Sequence, residues 1–311
     1  MLSQKALLLG ASRRPELRRL VTGTPATRGV VDRFVAGETL DGALAVVRQL
    51  CGEGLAVTLD HLGEGVTDRA QTVRSRDAYL ALLQGLAPLR LGGAAEVSAK
   101  LSAFGQALPG GGTDLALELV RPVAEAASAI GTTVTLDMEE SATVDSTLAV
   151  LAELRRDHPG TGAVLQAALH RTEEDAAALA VPGSRVRLVK GAYDEPPSVA
   201  WQSRADVDAA YARGLGVLMR GPGHPMVGSH DPWLVALARR LADDEGRTPD
   251  SWEVQMLYGI RATEQRRLAA EGVCVRAYVP YGVDWYGYFM RRLAERPANL
   301  RFFLRSLVST N

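Results

Sequence analysis

Arg185-Val186-Arg187-Leu188-Val189-Lys190-Gly191 has strand length and alternates charged with apolar residues. The segment Asp206–Met219, with helical periodicity, follows it, and then comes the short run Met226–Ser229. Strand, helix and strand in strict alternation mean a parallel sheet. The same unit recurs on both sides. Upstream strand candidates are Leu55–Leu59, Glu96–Leu101, Thr133–Asp137 and Ala163–Ala167; downstream ones are Glu253–Leu257 and Cys274–Tyr278. Between them lie helical stretches such as Leu115–Ile130, Val144–Arg156 and Trp233–Ala242, most of them stopped by glycine or proline. Eight such units over roughly 250 residues point to an α/β fold, a (β/α)8 TIM-type barrel.

An open doubly wound sheet is the alternative. It would need a G-x-G-x-x-G turn after its first strand, and none occurs there. Gly110–Gly112 follows the second strand without that spacing and reads as loop and N-cap geometry. Residues 1–37 read as a helical leader, with pieces at Glu16–Val21 and Gly29–Val35, and residues 38–311 as a single barrel domain. Thr39 is placed to cap a helix that ends at Gly52 and Gly54.

Lys plus Arg number 35 and Asp plus Glu 36, for a net charge of -1, so nothing in the charge draws the chain to nucleic acid. Two cysteines, Cys51 and Cys274, exclude a disulfide scaffold and a multi-cysteine zinc site and suit a reducing cytoplasm. No apolar run approaches the ~20 residues of a membrane-spanning helix. Ala6–Leu9 is too short for the apolar core of a signal peptide. Of the basic residues 32 are arginine and only 3 lysine: Lys5, Lys100 and Lys190. Lys5, near a terminus, is read as chance, whereas Lys100 and Lys190 fall on strands. Charge inside a closed barrel is expensive unless paired or bound to ligand, so these two mark a site.

Active sites of such barrels gather at the C-terminal strand ends. Those ends carry Asp60-His61, Lys100, Asp137, Gln166, Arg187 with Lys190, Ser229-His230-Asp231, Gln255 and Tyr278. His61 and His230 could converge with Asp60, but the first strand lacks H-x-H, and no catalytic metal is expected. No nucleophile elbow occurs. After the last strand, Tyr288, Arg291, Arg292 and Glu295 share one helix face. Paired arginines beside an aromatic ring suit a small amino acid, as a clamp for its carboxylate and a wall for its ring.

Five ordered strings resemble the proline dehydrogenase family: Arg187-Leu188-Val189-Lys190-Gly191-Ala192-Tyr193, Ser229-His230-Asp231, Glu253–Gly259, Arg276–Gly282 and Tyr288–Glu295. The resemblance covers roughly residues 30–310, and the length is similar to that of the bacterial single-function enzymes. It implies a distorted barrel with a final helix over its C-terminal face. It also implies non-covalent FAD, oxidation of L-proline to 1-pyrroline-5-carboxylate, and a membrane quinone as electron acceptor, with peripheral membrane contact. The implied catalytic residues are Arg187, Asp137 and Tyr278. Lys100, Arg291 and Arg292 match a carboxylate clamp, Leu257, Tyr278 and Tyr288 the walls of the substrate pocket, and Glu295 a carboxylate paired with the clamp. For FAD the matching residues are Gln166, Arg187, Val189, Lys190, Gly191, Ala192, Tyr193, Ser229 and His230.

Two positions depart from the family pattern. Asp194 stands where many relatives have a tryptophan that stacks on adenine, although Trp201 is nearby in sequence. Asp231 stands where many have asparagine, and a carboxylate there would repel a close phosphate unless it faces away or pairs with an arginine. Two other functions fit a polar barrel: an aldolase forming a Schiff base on a strand lysine, and a ligand-binding barrel without catalysis. The run Leu300–Arg305 is expected to dock on its own barrel.

Overall fold

The computed structural model describes residues 31–63 and 65–295, the last five by their backbone alone. Eight parallel strands close into a barrel in sequence order. They are β1 (Ala56–His61), β2 (Ala95–Lys100), β3 (Val134–Asp137), β4 (Gly162–Gln166), β5 (Arg185–Val189), β6 (His224–Gly228), β7 (Glu253–Leu257) and β8 (Val275–Tyr281). Helix α1 (Leu40–Gly52) precedes β1. The strands are joined by α2 (Arg69–Leu86), α3 (Thr113–Ala129), α4 (Val144–Asp157), α5 (Thr172–Leu179), α6 (Arg204–Arg220), α7 (Pro232–Asp244) and α8 (Ala262–Ala270). Helix α9 (Trp285–Glu295) follows β8.

All eight strands legible in the sequence are present. β8 runs on past Tyr278 because β1 gives it a long partner, with pairing that continues to His61↔Tyr281. Pro280, opposite Asp60, sits close enough to the strand end for its missing N–H to be tolerated. Local chemistry sets the helix ends. The Thr39 hydroxyl accepts from the Gly42 N–H at 3.2 Å and starts α1, and Gly112, at φ +99°, precedes α3.

Parallel strands in barrels usually read as continuous apolar runs, because both faces are buried in apolar surroundings. These alternate instead. Val57, Leu59, Val97, Leu136, Leu165 and Leu188 join the apolar layer between sheet and helices. The intervening residues of the same strands face inward and bond across the barrel. Arg187 of β5 reaches Asp137 of β3, and Arg276 of β8 reaches Glu96 of β2 and Glu253 of β7. The interior is therefore an ion-pair assembly and the stabilising hydrophobic core is the outer layer.

A second apolar cluster lies on the C-terminal face. Phe289 and Trp285 of α9 pack with Leu62 and Ile260, which follow β1 and β7, and with Val31, Phe34 and Val35 of the incoming chain. The Ala36 N–H donates to the Pro280 carbonyl at 2.9 Å, and Trp285 Nε1 donates to Glu38 at 2.8 Å. Gly259, at φ +73°, sits under this segment. A Cβ there would lie 1.7 Å from the Arg33 carbonyl oxygen, so no other residue fits. The leader piece Glu16–Val21 and the run Leu300–Arg305 fall outside the described residues. Among the described residues no helix is long and apolar enough to cross a membrane.

Candidate active site

At the C-terminal end of the interior, Asp137 is the hub. It is the last residue of β3, opposite Lys100 in the β2–β3 register. Its Oδ1 accepts from Arg187 Nη1 at 2.7 Å and from the Ser98 hydroxyl at 2.8 Å; its Oδ2 accepts from the Tyr278 hydroxyl at 2.7 Å. Lys100 Nζ lies 3.6 Å from Asp137 and donates to Asp60 at 2.8 Å. The Arg187 guanidinium stands 5.2 Å from the centre of the Tyr278 ring.

The electrostatics follow. Burial alone would raise the Asp137 carboxyl, but Arg187, Lys100 and the bonds from Tyr278 and Ser98 hold it below the usual carboxylate value. Tyr278 goes the other way: burial, then the charges of Asp137 and Asp60, push its hydroxyl well above an ordinary phenol. Asp137 therefore stays ionised and Tyr278 stays a donor. Deeper in the barrel, burial is again outweighed at Glu253, which Arg276 and His224 hold well below the usual range.

Four of the residues singled out from the sequence, Lys100, Asp137, Arg187 and Tyr278, thus form one bonded cluster. Leu257 lies against the cluster of α9 that contains Tyr288. Arg291, Arg292 and Glu295 belong to α9, but their side chains lie outside the described residues. Three partners had no role in the sequence reading: Asp60, named there as a strand end, which carries the bond to Lys100; Ser98, which ties Asp137 to Arg187; and Gln255, named only as a strand-end residue, which accepts from Arg187 Nε at 2.5 Å. Asp60 had read as a strand end or a metal ligand. Its signal was the inward parity it shares with Thr58 on β1.

A second group lines the ends of β4, β5 and β6. Gln166 Nε2 donates to the Glu139 carbonyl at 2.8 Å, and its Oε1 faces Gly191. Gly191 has φ +107°, and a Cβ there would approach Ala168 to 3.2 Å, so the turn requires glycine. Ala192 and Tyr193 follow it and are exposed, and Val189 is half-buried. Lys190 Nζ is held by Asp208 at 2.5 Å and Asp231 at 3.1 Å. Asp231 also lies 3.8 Å from Arg204 and accepts from the Trp233 N–H, which caps α7. Its carboxylate is thus paired by a lysine and an arginine. The Ser229 hydroxyl accepts from the Asp231 N–H, and His230 Nε2 accepts from the Leu257 N–H at 2.9 Å. Asp194 is exposed. The Trp201 backbone N–H donates to the Ala168 carbonyl, and its ring packs edge-on against His170 with centroids 4.6 Å apart.

His61 packs edge-on against Tyr79 and Tyr281, away from any joint ligand set with His230. Among the described residues no group of three or more His, Cys, Asp or Glu could hold a metal ion. Both lysines singled out from the sequence sit in ion pairs with carboxylates: Lys100, at the end of β2, with Asp60, and Lys190, one residue past β5, with Asp208 and Asp231.

One buried donor of the Asp137 cluster makes no hydrogen bond. Arg187 is 4% exposed, yet its Nη2 has no hydrogen-bond partner among the described residues. The Glu96 carboxylate lies 3.6 Å from Nη2, outside hydrogen-bond range, so the guanidinium keeps a donor for an acceptor from a ligand. With Gly191 making room beside Gln166, and Lys190 close by, the donor set suits an electron-accepting ring with a phosphate-bearing tail.

Comparison with known proteins points to one family. The family model described as proline dehydrogenase matches residues 43–305. The chain is 38% identical to "Proline dehydrogenase" of Deinococcus radiodurans over 99% of its own length and 98% of that protein. It is 34% identical to "Proline dehydrogenase 1" of Bacillus subtilis over 91% of this chain and 92% of that one. Among solved structures, proline utilization A (PutA) from Bdellovibrio bacteriovorus, inactivated by N-propargylglycine, superposes with a TM-score of 0.80 at 24% identity. That match covers 92% of this chain and 34% of the longer PutA chain, and it speaks to the fold.

Proposed function

The chain belongs to the proline dehydrogenase family, whose reaction is proline oxidation, and from that premise we propose that it converts L-proline to 1-pyrroline-5-carboxylate using FAD, with a membrane quinone as final acceptor. This is the first step of proline catabolism to glutamate. The observation that carries the reading is the Asp137-centred cluster with one arginine donor unspent. Residues 38–311 would form the FAD-binding catalytic unit, with residues 1–37 as its leader. Unpaired Cys51 and Cys274 support a cytoplasmic enzyme, and quinone reduction would bring it to the inner face of the membrane as a peripheral protein.

FAD, when bound, supplies the hydride acceptor. Arg187 would offer Nη2 to the flavin edge where negative charge develops, and Gln166 would bond the ring. Val189, Lys190, Gly191, Ala192, Tyr193, Ser229 and His230 would hold the ribityl and pyrophosphate portions. With Asp194 exposed, the Trp201 ring supports an alternative surface for adenine. Lys100, Arg291 and Arg292 would bind the substrate carboxylate, Leu257, Tyr278 and Tyr288 would wall the ring, and Glu295 would pair with the clamp. Asp137 keeps Tyr278 and Arg187 in place. Together these groups fix the substrate by its carboxylate and exclude water from the C–H bond to be broken.

The clamp tests this reading. Removing one partner of a desolvated ion pair costs on the order of 3 kcal/mol, roughly a hundredfold in affinity. Arg291→Met or Arg292→Met is expected to raise the KM for proline by about that factor with FAD content intact. Binding of tetrahydrofuran-2-carboxylate, a saturated-ring carboxylate, should weaken in parallel. Wild-type affinity for that inhibitor in both variants would contradict the assignment.

A further inference from the structure

Arg187 has three distinct donor atoms, and the structure uses them differently. Nη1 goes to Asp137 and Ser98; Nε goes to Gln255 Oε1 at 2.5 Å; Nη2 has no hydrogen-bond partner among the described residues. Gln255 is itself fixed from behind. Its Nε2 donates to Glu253 Oε1 at 2.5 Å and lies 3.1 Å from Met226 Sδ. Glu253 is in turn gripped by Arg276 at 2.8 and 3.0 Å. All of these groups except Asp137 are at least nine-tenths buried.

We propose that Gln255 is a positioning residue that aims Arg187 at the ligand in the barrel mouth. The residue type follows from its neighbours. An arginine can only donate and an ionised Glu253 can only accept, so the group between them must accept at one end and donate at the other. An amide does both without charge, and its two neighbours fix which end points where. A carboxylate at this place would face Glu253 at contact distance, and an apolar side chain would leave Nε without an acceptor. Without Gln255, the carboxylate that competes for the arginine is Glu96, whose Oε1 already lies 3.6 Å from Nη2. A swing toward it would draw the guanidinium away from Asp137 at the strand ends.

The way across is also built. Arg187 leaves β5 and meets Gln255 on β7, passing the strand between them. On that strand stands Gly228, where a Cβ would lie 2.7 Å from Val189 Cγ1 and 3.4 Å from Arg187 Cγ. The missing side chain avoids Val189 and, at 3.0 Å, the Leu188 carbonyl oxygen, and the arginine stem passes beside it at ordinary contact distance.

The inference rests on the reading of Arg187 as the residue beside the flavin, and the test separates the two. The FAD-loaded enzyme and its Gln255→Met, Gln255→Leu and Arg187→Met variants are compared by flavin midpoint potential and by steady-state kinetics with proline. Both Gln255 variants are expected to lower the midpoint by about 30 mV, a tenfold loss of preference for reduced flavin in a two-electron couple. The same variants should lower kcat several-fold while KM stays within about twofold, because the carboxylate clamp is untouched. A merely structural role would leave the potential in place. If Arg187→Met lowers the potential and neither Gln255 variant does, the positioning role is overturned and the flavin reading stands. If Arg187→Met leaves it unchanged, the flavin reading itself falls. Gln255→Met keeps the length of the side chain and carries the comparison if Gln255→Leu does not fold.

Discussion

The same eight strands build two cores of opposite character. On the outer face Leu59, Val97, Leu136 and Leu188 pack against helices. One residue along each strand, the inner face carries Asp60, Ser98, Asp137 and Arg187, joined by ion pairs and hydrogen bonds. Apolar burial gives stability without direction; buried charge gives direction and is weak support for stability. Among the described residues the interior carboxylates Asp60, Glu96, Asp137 and Glu253 are matched by Lys100, Arg185, Arg187 and Arg276, so their charges balance while remaining able to orient a ligand.

The two cores should fail differently. Arg276→Met removes both arginine hydrogen bonds from buried Glu253, leaving it Arg185 at 3.5 Å, and is expected to destabilise by about 4 kcal/mol in urea unfolding. Combining it with Glu253→Gln should recover more than about 1 kcal/mol, because the pair is coupled. Leu59→Ala, in the outer layer, is expected to cost about 3 kcal/mol as a cavity. Strictly additive losses for the Arg276 and Glu253 variants would erase the distinction.

Acid should attack the inner core rather than the outer apolar layer. Asp137 and Glu253 have folded values held below their ordinary 3.8 and 4.5. The unfolded chain therefore binds more protons in the window below those values, and stability rises with pH through it. The contribution is present above about pH 4.5 and is lost as pH falls through the depressed folded values. Melting temperature followed from about pH 5 downward should fall less steeply in Glu253→Gln than in wild type or Leu59→Ala. Equal slopes would mean that the interior carboxylates do not carry the acid sensitivity.

The smallest effect is at the rim. Asp231 draws on Lys190, which would otherwise face a phosphate, and it also caps α7. Asparagine caps a helix as well as aspartate does, so Asp231→Asn changes charge alone. Titration of the apoprotein is expected to show FAD binding tightened by about fivefold, close to 1 kcal/mol for a screened pair. Unchanged or weaker binding would show that the carboxylate is neutralised where it stands.

The strands were legible because period-2 alternation survives in sequence, as in Arg185-Val186-Arg187-Leu188, and the glycines and prolines between units are local signals. The far end of β8 was not, since Pro280 reads as a stop and only its long pairing with β1 carries the strand onward. In the site, residues with motif context were legible: Lys100, Asp137, Arg187, Tyr278. Asp60 and Gln255 were legible as strand-end residues but their roles were not, because a counter-charge or a relay is defined by which strands lie side by side and across the barrel, and neither is written in the local sequence. Lys100 and Asp60 come from neighbouring strands whose register sets their meeting. The pairing of Asp231 with Lys190 likewise joins the ends of β5 and β6 through space.

The visible absorption of the purified protein, recorded anaerobically before and after L-proline, tests the central claim most directly. The barrel should carry an oxidised-flavin spectrum that bleaches on addition of L-proline, with 1-pyrroline-5-carboxylate formed in equal amount to the flavin reduced, and Arg291→Met should demand about a hundredfold more proline for the same bleaching. A protein that stays colourless after reconstitution with FAD, or a flavin spectrum that L-proline leaves unchanged, would contradict it.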